Sequence, residues 1–300
     1  MTHRHPGCPP ACVNLDACDV PDLVPAPMNA VAELRQSREL LLNLTLRELR
    51  GKYKRSVLGW TWSLLNPLST LVIYALVFGV FLQVQPDVGD PSGLKNFPAF
   101  LLCGLLPWNF LAGSLNGCMG SLLGNAGLIK KVYFPRELLP FATVLSLDVS
   151  FLIEMGVLAV FLLVLGNMVL PWLLPALVLM ALLTCFAAGL GLIFAVFNVY
   201  FRDVQYLVGI LLNLWFYLTP IVYPVSLVSD FAARVHRPWV LTAYRANPMV
   251  GFTEAFRDLL YSMRFPSVTT LAYLTVWSLG MLVLGMAVFG RFQARLAEEL

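Results

Sequence analysis

No residue carrying a full charge occurs between Arg55 and Asp87. A charge-free run of that length exceeds the roughly 20 residues that a helix needs to cross the hydrocarbon core of a bilayer. The segment before it is opposite in character. Within 31–58, Leu42, Leu46, Leu49 and Tyr53 recur at helical spacing, while Arg47, Arg50 and Lys54 fall on another face. That is the pattern of an amphipathic helix. A cationic helix, then Trp60 and Trp62 at interface level, then a span is the order expected of a polytopic membrane protein. Its N-terminal helix would lie on the anionic cytoplasmic surface.

The rest of the chain agrees. Apolar residues make up 59% and charged residues 12% of the 300, against about half and about a quarter in soluble domains. The hydropathy pattern predicts an all-α protein with six spans, at about 62–84, 99–123, 140–166, 172–198, 204–223 and 268–289. An even number of spans puts both termini on one side, and the basic residues of the short loops decide which. Lys130, Lys131 and Arg136 follow the second span, Arg202 follows the fourth, and Arg291 and Arg295 follow the sixth. On the other face the short loops offer only Lys95, beside Asp87 and Asp90. Both termini are therefore expected to be cytoplasmic. The long connection after the fifth span runs against the rule, with Arg234, Arg237, Arg245, Arg257 and Arg264 offset by Asp230, Glu254 and Asp258. Three units result: a disordered cytoplasmic tail over 1–30, the interface helix over 31–58 and the six-helix membrane domain over 59–295. The tail has no apolar core of the length a signal peptide needs.

The long connection contains its own helix signal. Asn247 followed by Pro248 is a cap and first-turn pair; Phe252, Phe256, Leu259, Leu260 and Met263 then form an apolar stripe, while Glu254, Arg257, Asp258 and Tyr261 make a more polar face. The segment is too short and too charged to span, so it reads either as a re-entrant helix walling an exit route or as an amphipathic cap on the bundle. Pro220 and Pro224 should break the end of the fifth span. In the second span, Gly113, Gly117, Gly120 and Gly124 allow close helix approach; ordinary packing and a sliding surface both fit.

Catalytic motifs are sparse. There is no GxxxxGK[ST] loop, HExxH or GxSxG, so neither a phosphate loop nor a familiar hydrolytic centre is expected on this chain. Asp148 and Glu154 are the acids within spans. Six residues apart, they point about 120° from one another and do not make a dyad. Each is either functional or paired within the bundle. Cys8, Cys12 and Cys18 match no standard zinc spacing, so no metal site is expected.

The blocks that remain are specific. They begin with Arg47-x-x-Arg50-x-x-Tyr53-Lys54-x-Ser56-x-Leu58-Gly59-x-x-Trp62-x-x-x-Asn66-Pro67. Next comes Lys130-Lys131-Val132-Tyr133-Phe134-Pro135-Arg136-Glu137-Leu138-Leu139-Pro140. Asn198-Val199-Tyr200-Phe201-Arg202-Asp203-Val204, Thr219-Pro220-Ile221-Val222-Tyr223-Pro224 and Asn247-Pro248 complete the set. Taken in order over about 35–295, they resemble the permease subunits of type-2 ABC exporters, in particular those for O-antigen and teichoic acid.

The resemblance implies a homodimeric half-transporter in the bacterial cytoplasmic (inner) membrane, driven by two copies of a separate ATPase. That partner would hold ATP and Mg, leaving this chain with no cofactor and no nucleic-acid partner. The implied substrate is a glycan on a lipid diphosphate. Arg47, Arg50, Tyr53 and Lys54 are candidates for its headgroup, although general attraction to membrane lipids explains the cations equally well. Lys130, Lys131, Tyr133, Phe134, Arg136 and Glu137 form the candidate coupling loop. Trp60, Trp62, Tyr74, Phe78, Trp215 and Tyr217, with Asp148 and Glu154, are candidates for the pathway or its gate. An exporter of a small lipid or drug is the alternative. A membrane glycosyltransferase is disfavoured, because no nucleotide-sugar or carboxylate-rich site is visible.

Overall fold

A computed structural model describes residues 38–53, 65, 68–69, 72–81, 83, 86–132 and 134–293, with Tyr53, Ala75 and Pro238 described by backbone only. The expected tail over 1–30, and part of the first span, lie outside the described residues. Helix α1 is Arg38–Tyr53. The bundle is then built from α2 (Phe97–Gly124), α4 (Leu138–Val164), α5 (Leu173–Tyr200) and α10 (Val268–Phe292), with the short α3 (Ala126–Ile129) after α2. Helices α6 (Val204–Tyr217), α7 (Val225–Arg234), α8 (Pro238–Arg245) and α9 (Pro248–Arg257) lie between α5 and α10. No strand occurs among the described residues.

Four helical segments are long and apolar enough to cross a membrane: Phe97–Gly124, Leu138–Val164, Leu170–Tyr200 and Val268–Phe292. Their bounds lie within about two or three residues of the expected second, third, fourth and sixth spans. The expected fifth span is shorter. Helix α6 has 14 residues, about 21 Å at 1.5 Å per residue, and ends at Tyr217 ahead of a non-helical turn. Thr219 Oγ1 donates to the Trp215 carbonyl at 2.8 Å, and Pro220 has no N–H with which to continue the ladder. Of the expected first span, the described helix is Val72–Phe81, which turns π-helical over Ala75–Phe81.

Helix α2 is the axis of the bundle. Its apolar window is 78% buried within the chain, against 17% for α10, so α10 shows most of its surface outward. Asn96 caps α2 by accepting from Ala99 N at 3.1 Å. Helix α5 packs on α2 and α10. At the basic-loop end Asn198 Nδ2 staples α5 to α2 through the Met119 carbonyl at 2.8 Å.

Glycine sets the tightest crossing. A Cβ on Gly285 would fall 2.3 Å from the Gly189 carbonyl oxygen, and one on Gly189 the same distance from that of Met281. The backbones of α5 and α10 touch there, as small residues permit in membranes. In the expected glycine pattern of α2, Gly117 is close-packed, with Thr143 Cγ2 at 2.7 Å from a Cβ, whereas Gly120 and Gly124 face open space.

Helix α1 packs along α4 through Leu44, Thr45 and Leu49, while Leu42 is 53% and Leu46 46% exposed. It therefore carries two apolar faces. The stripe that meets the bundle is Leu41, Leu44 and Leu49, and Leu42 and Leu46 point away from it.

Candidate functional site

The helix break after Tyr217 organises an aromatic groove. Trp215 Nε1 donates to Asn247 Oδ1 at 2.9 Å, and the same oxygen caps α9 by accepting from Met249 N at 3.0 Å. The end of α6 is thus tied to the start of α9, three helices later. The tie orients a run of rings. Tyr74 stacks on Phe216 with centroids 6.1 Å apart and meets Phe78 edge-on at 5.9 Å. Trp108 of α2 meets Trp215 and Phe216 edge-on at 5.8 and 5.7 Å. Phe216 is followed edge-on by Tyr217 at 5.2 Å.

Beside these rings opens a cavity of about 370 Å³, lined by Tyr74, Trp108, Phe216 and Tyr217 together with Asn116 and Asn213. Ring faces suit the C–H faces of sugars, and the amides offer donors and acceptors to hydroxyls. Of the expected pathway residues, Tyr74, Phe78, Trp215 and Tyr217 come together here. Trp60 and Trp62 lie outside the described residues. Trp108, Asn116 and Asn213 were missed from the sequence. The two amides carried the available signal, since polar side chains inside apolar helices are costly unless used.

Asp148 and Glu154 are not part of this groove. Asp148 accepts from Thr184 Oγ1 of α5 at 2.9 Å, which favours the bundle-paired reading. Glu154 has Lys52 of α1 as its charged neighbour, and Lys52 Nζ stands 3.5 Å from Ser150 Oγ, one turn before Glu154. The two acids serve different helix contacts.

At the end bearing the 126–137 loop, Lys130 and Lys131 are exposed and Val132 is 52% exposed. Phe134 packs against the core, Glu137 is buried, and Arg136 donates to the Gln293 carbonyl at the end of α10. The lysines are the presented groups. Phe134, Arg136 and Glu137 face inward and tie the loop to its neighbours, and Tyr133 lies outside the described residues.

The expected cationic row is also divided. Arg47 donates to Asn125 Oδ1 at the α2–α3 elbow, and Asn125 Nδ2 in turn donates to the Ser121 carbonyl at 2.8 Å. Arg50 is exposed. Lys54 and the Tyr53 side chain lie outside the described residues.

The opposite end carries a cap in which α9 is the key element. Arg257, expected on a polar face, is instead buried. Its Nη2 donates to the Ile221 carbonyl at 2.7 Å and its Nε to that of Phe100 at 3.4 Å. Its guanidinium lies 3.6 Å from the Phe100 ring centroid. Gly104 leaves the room: a Cβ there would sit 3.1 Å from Arg257 Nη2. A buried guanidinium needs such acceptors, and the helix break supplies the carbonyl of Ile221. Burial pulls Arg257 down to about 10, still charged at neutral pH. Tyr261, also expected on the polar face, is likewise buried; it donates to the Leu94 carbonyl at 2.8 Å.

Beneath this cap lies a cavity of about 960 Å³ bordered by Asp87, Asp90, Arg245, Glu254, Asp258 and Arg264 as well as Arg257. Burial pushes the Glu254 carboxyl up, with Arg245 acting against it. It does the same to Asp258, opposed by the hydrogen bond and charge of Arg264.

The profile of the ABC-2 type transporter family matches residues 39–261. The chain is 33% identical over 276 residues to the O-antigen export system permease protein RfbA of Myxococcus xanthus, covering 90% of this chain and 98% of that one. It is 31% identical over 267 residues to the O-antigen export system permease protein RfbA of Klebsiella pneumoniae, covering 87% and 95%. It is 26% identical over 260 residues to the polysialic acid transport protein KpsM of Escherichia coli, covering 82% and 90%.

Proposed function

The chain belongs to the ABC-2 type transporter membrane family, and from that premise we propose that it moves a lipid-linked polysaccharide across the cytoplasmic membrane. It is the permease subunit of an exporter for O-antigen or a similar surface polysaccharide, as its relatives' names indicate for them. It is a multi-pass membrane protein, and its part in the cycle is conformational. ATP and Mg are held by a separate ATPase, two copies of which act on two copies of this chain. Lys130 and Lys131 meet the ATPase at the cytoplasmic end, where both termini lie, and the cap of α9 faces outward. Six spans complete each subunit, the first through 62–84 and the fifth around α6.

The observation that carries this reading is the groove: four aromatic rings and two amides, on the open face of an apolar bundle, around about 370 Å³. That lining suits a sugar chain better than a purely apolar lipid or drug, which would leave both amides unused. Along α6, Tyr206, Leu207, Ile210, Leu214 and Tyr217 are exposed next to the groove, and a second copy placed against this face closes the groove into a pathway. Affinity purification of the tagged chain from its host tests the assignment. The expected outcome is a complex with one ATPase whose hydrolysis rises on adding a lipid-diphosphate glycan. Stimulation by small lipids or drugs, with none by the glycan, would overturn it.

A further inference from the structure

We propose that the outer cavity beneath α9 is a second glycan subsite, which takes an uncharged stretch of sugars as the polymer leaves the aromatic groove. The inference rests on the export reading above. The cavity encloses about 960 Å³, at the upper end of the roughly 300–1,000 Å³ typical of small-molecule sites, so it holds several sugar rings rather than one.

Its chemistry selects the ligand class. Carboxylates come from Asp87, Asp90, Glu254 and Asp258, and guanidinium groups from Arg245, Arg257 and Arg264. Several are already engaged. Arg257 serves two backbone carbonyls, Asp258 pairs with Arg264 at 2.7 Å, and Asp87 accepts from Ser226 Oγ at 3.0 Å. Glu254 is half-buried and has no hydrogen-bond partner among the described residues. Arg245, the cation opposing its burial, is exposed.

A carboxylate accepts from two adjacent hydroxyls and a guanidinium donates to two. Ser267, Thr269 and Thr270 add hydroxyls along the cavity wall. Tyr273, whose OH is occupied by the Ala246 carbonyl at 2.6 Å, adds a ring face. The near balance of charge disfavours both a diphosphate and a divalent cation, each of which needs an excess of the opposite sign.

Position supplies the second argument. Phe216 and Tyr217 line the groove, while Pro224 and Val225 line the cavity. The two sites therefore flank one short turn, which is braced by a 3.1 Å hydrogen bond between the Tyr223 and Tyr244 hydroxyls. A chain leaving the groove past this turn meets the cavity next.

The test uses the full chain with its ATPase in nanodiscs. The probe is a short fragment of the host's surface polysaccharide, freed of lipid and phosphate, with binding read by saturation-transfer NMR and titration calorimetry. The wild-type complex should bind it. Glu254→Gln, and independently the rim substitution Thr269→Trp, should weaken binding about tenfold or more, the loss expected when a charge-assisted hydrogen bond or access is removed. Both variants should still assemble with the ATPase. The subsite is overturned if both variants bind like wild type, if inorganic diphosphate displaces the fragment, or if the wild-type complex binds no fragment while lipid-linked glycan still stimulates it. If that stimulation is itself absent, the export reading falls and the subsite with it.

Discussion

In the proposed function, Asn116 and Asn213 meet the sugar chain. Both are amides on the wall of an aromatic groove. Asn116 Nδ2 is returned to its own helix through the Ala112 carbonyl at 2.9 Å, leaving its amide oxygen as the group a sugar hydroxyl can reach. Each neutral hydrogen bond to a hydroxyl contributes about 0.5–1.5 kcal/mol. The double variant Asn116→Ala with Asn213→Ala should therefore lower export about tenfold, with the complex still assembled and basal ATP hydrolysis unchanged. Quantifying surface polysaccharide against complex abundance checks this. Arg47 has a contact that the sequence did not suggest. The sequence offered it to a headgroup, yet it reaches Asn125 at the start of the basic loop. One-dimensional periodicity cannot reveal a partner 78 positions away.

Among the elements, the α5–α10 crossing is the most exacting. With backbone atoms 2.3 Å from the missing Cβ positions, Gly285→Leu cannot be accommodated by a rotamer change and must push the helices apart. Overpacking of this kind costs about 1–3 kcal/mol. We expect a lower melting temperature in detergent for Gly285→Leu, whereas Gly120→Leu, which faces open space, should melt like the wild type. The basic loop yields a second expectation. Lys130→Glu with Lys131→Glu removes exposed cations without touching the inward contacts of Phe134 and Arg136. ATPase binding should weaken several-fold, more at low salt than at high, as pull-down across a salt series would show.

These elements also show what the sequence could tell. Helices α2, α4, α5 and α10 were legible because long apolar runs between charged loops have few alternatives, and the Asn247-Pro248 start was legible from capping chemistry alone. The buried Arg257 was not. Helical spacing put it beside Glu254 and Asp258, and only the carbonyl of Ile221 freed by the neighbouring break, with the space left by Gly104, makes burial tolerable. The glycine crossing was missed for a similar reason. The glycines at 113, 117, 120 and 124 form a visible pattern, whereas Gly189 and Gly285 are distant in sequence and pair only in the fold.

At the scale of the whole molecule, the account is a division of labour along the membrane normal. In the proposed function, Lys130 and Lys131 at one end receive the ATPase, the aromatic groove lies on an open face of the bundle, and a charged, polyol-suited cavity lies at the other end. The chain supplies shape and hydrogen bonds, and the partner supplies energy. Inside-out membrane vesicles containing the full chain and its ATPase measure this directly. Lipid-linked polysaccharide is presented at the exposed cytoplasmic face, and its protection from an added glycosidase is followed with time. The account predicts protection that requires ATP, disappears when the ATPase is catalytically inactive, and is reduced about tenfold by the Asn116 and Asn213 double substitution. Polysaccharide that stays fully digestible while the complex hydrolyses ATP would contradict it.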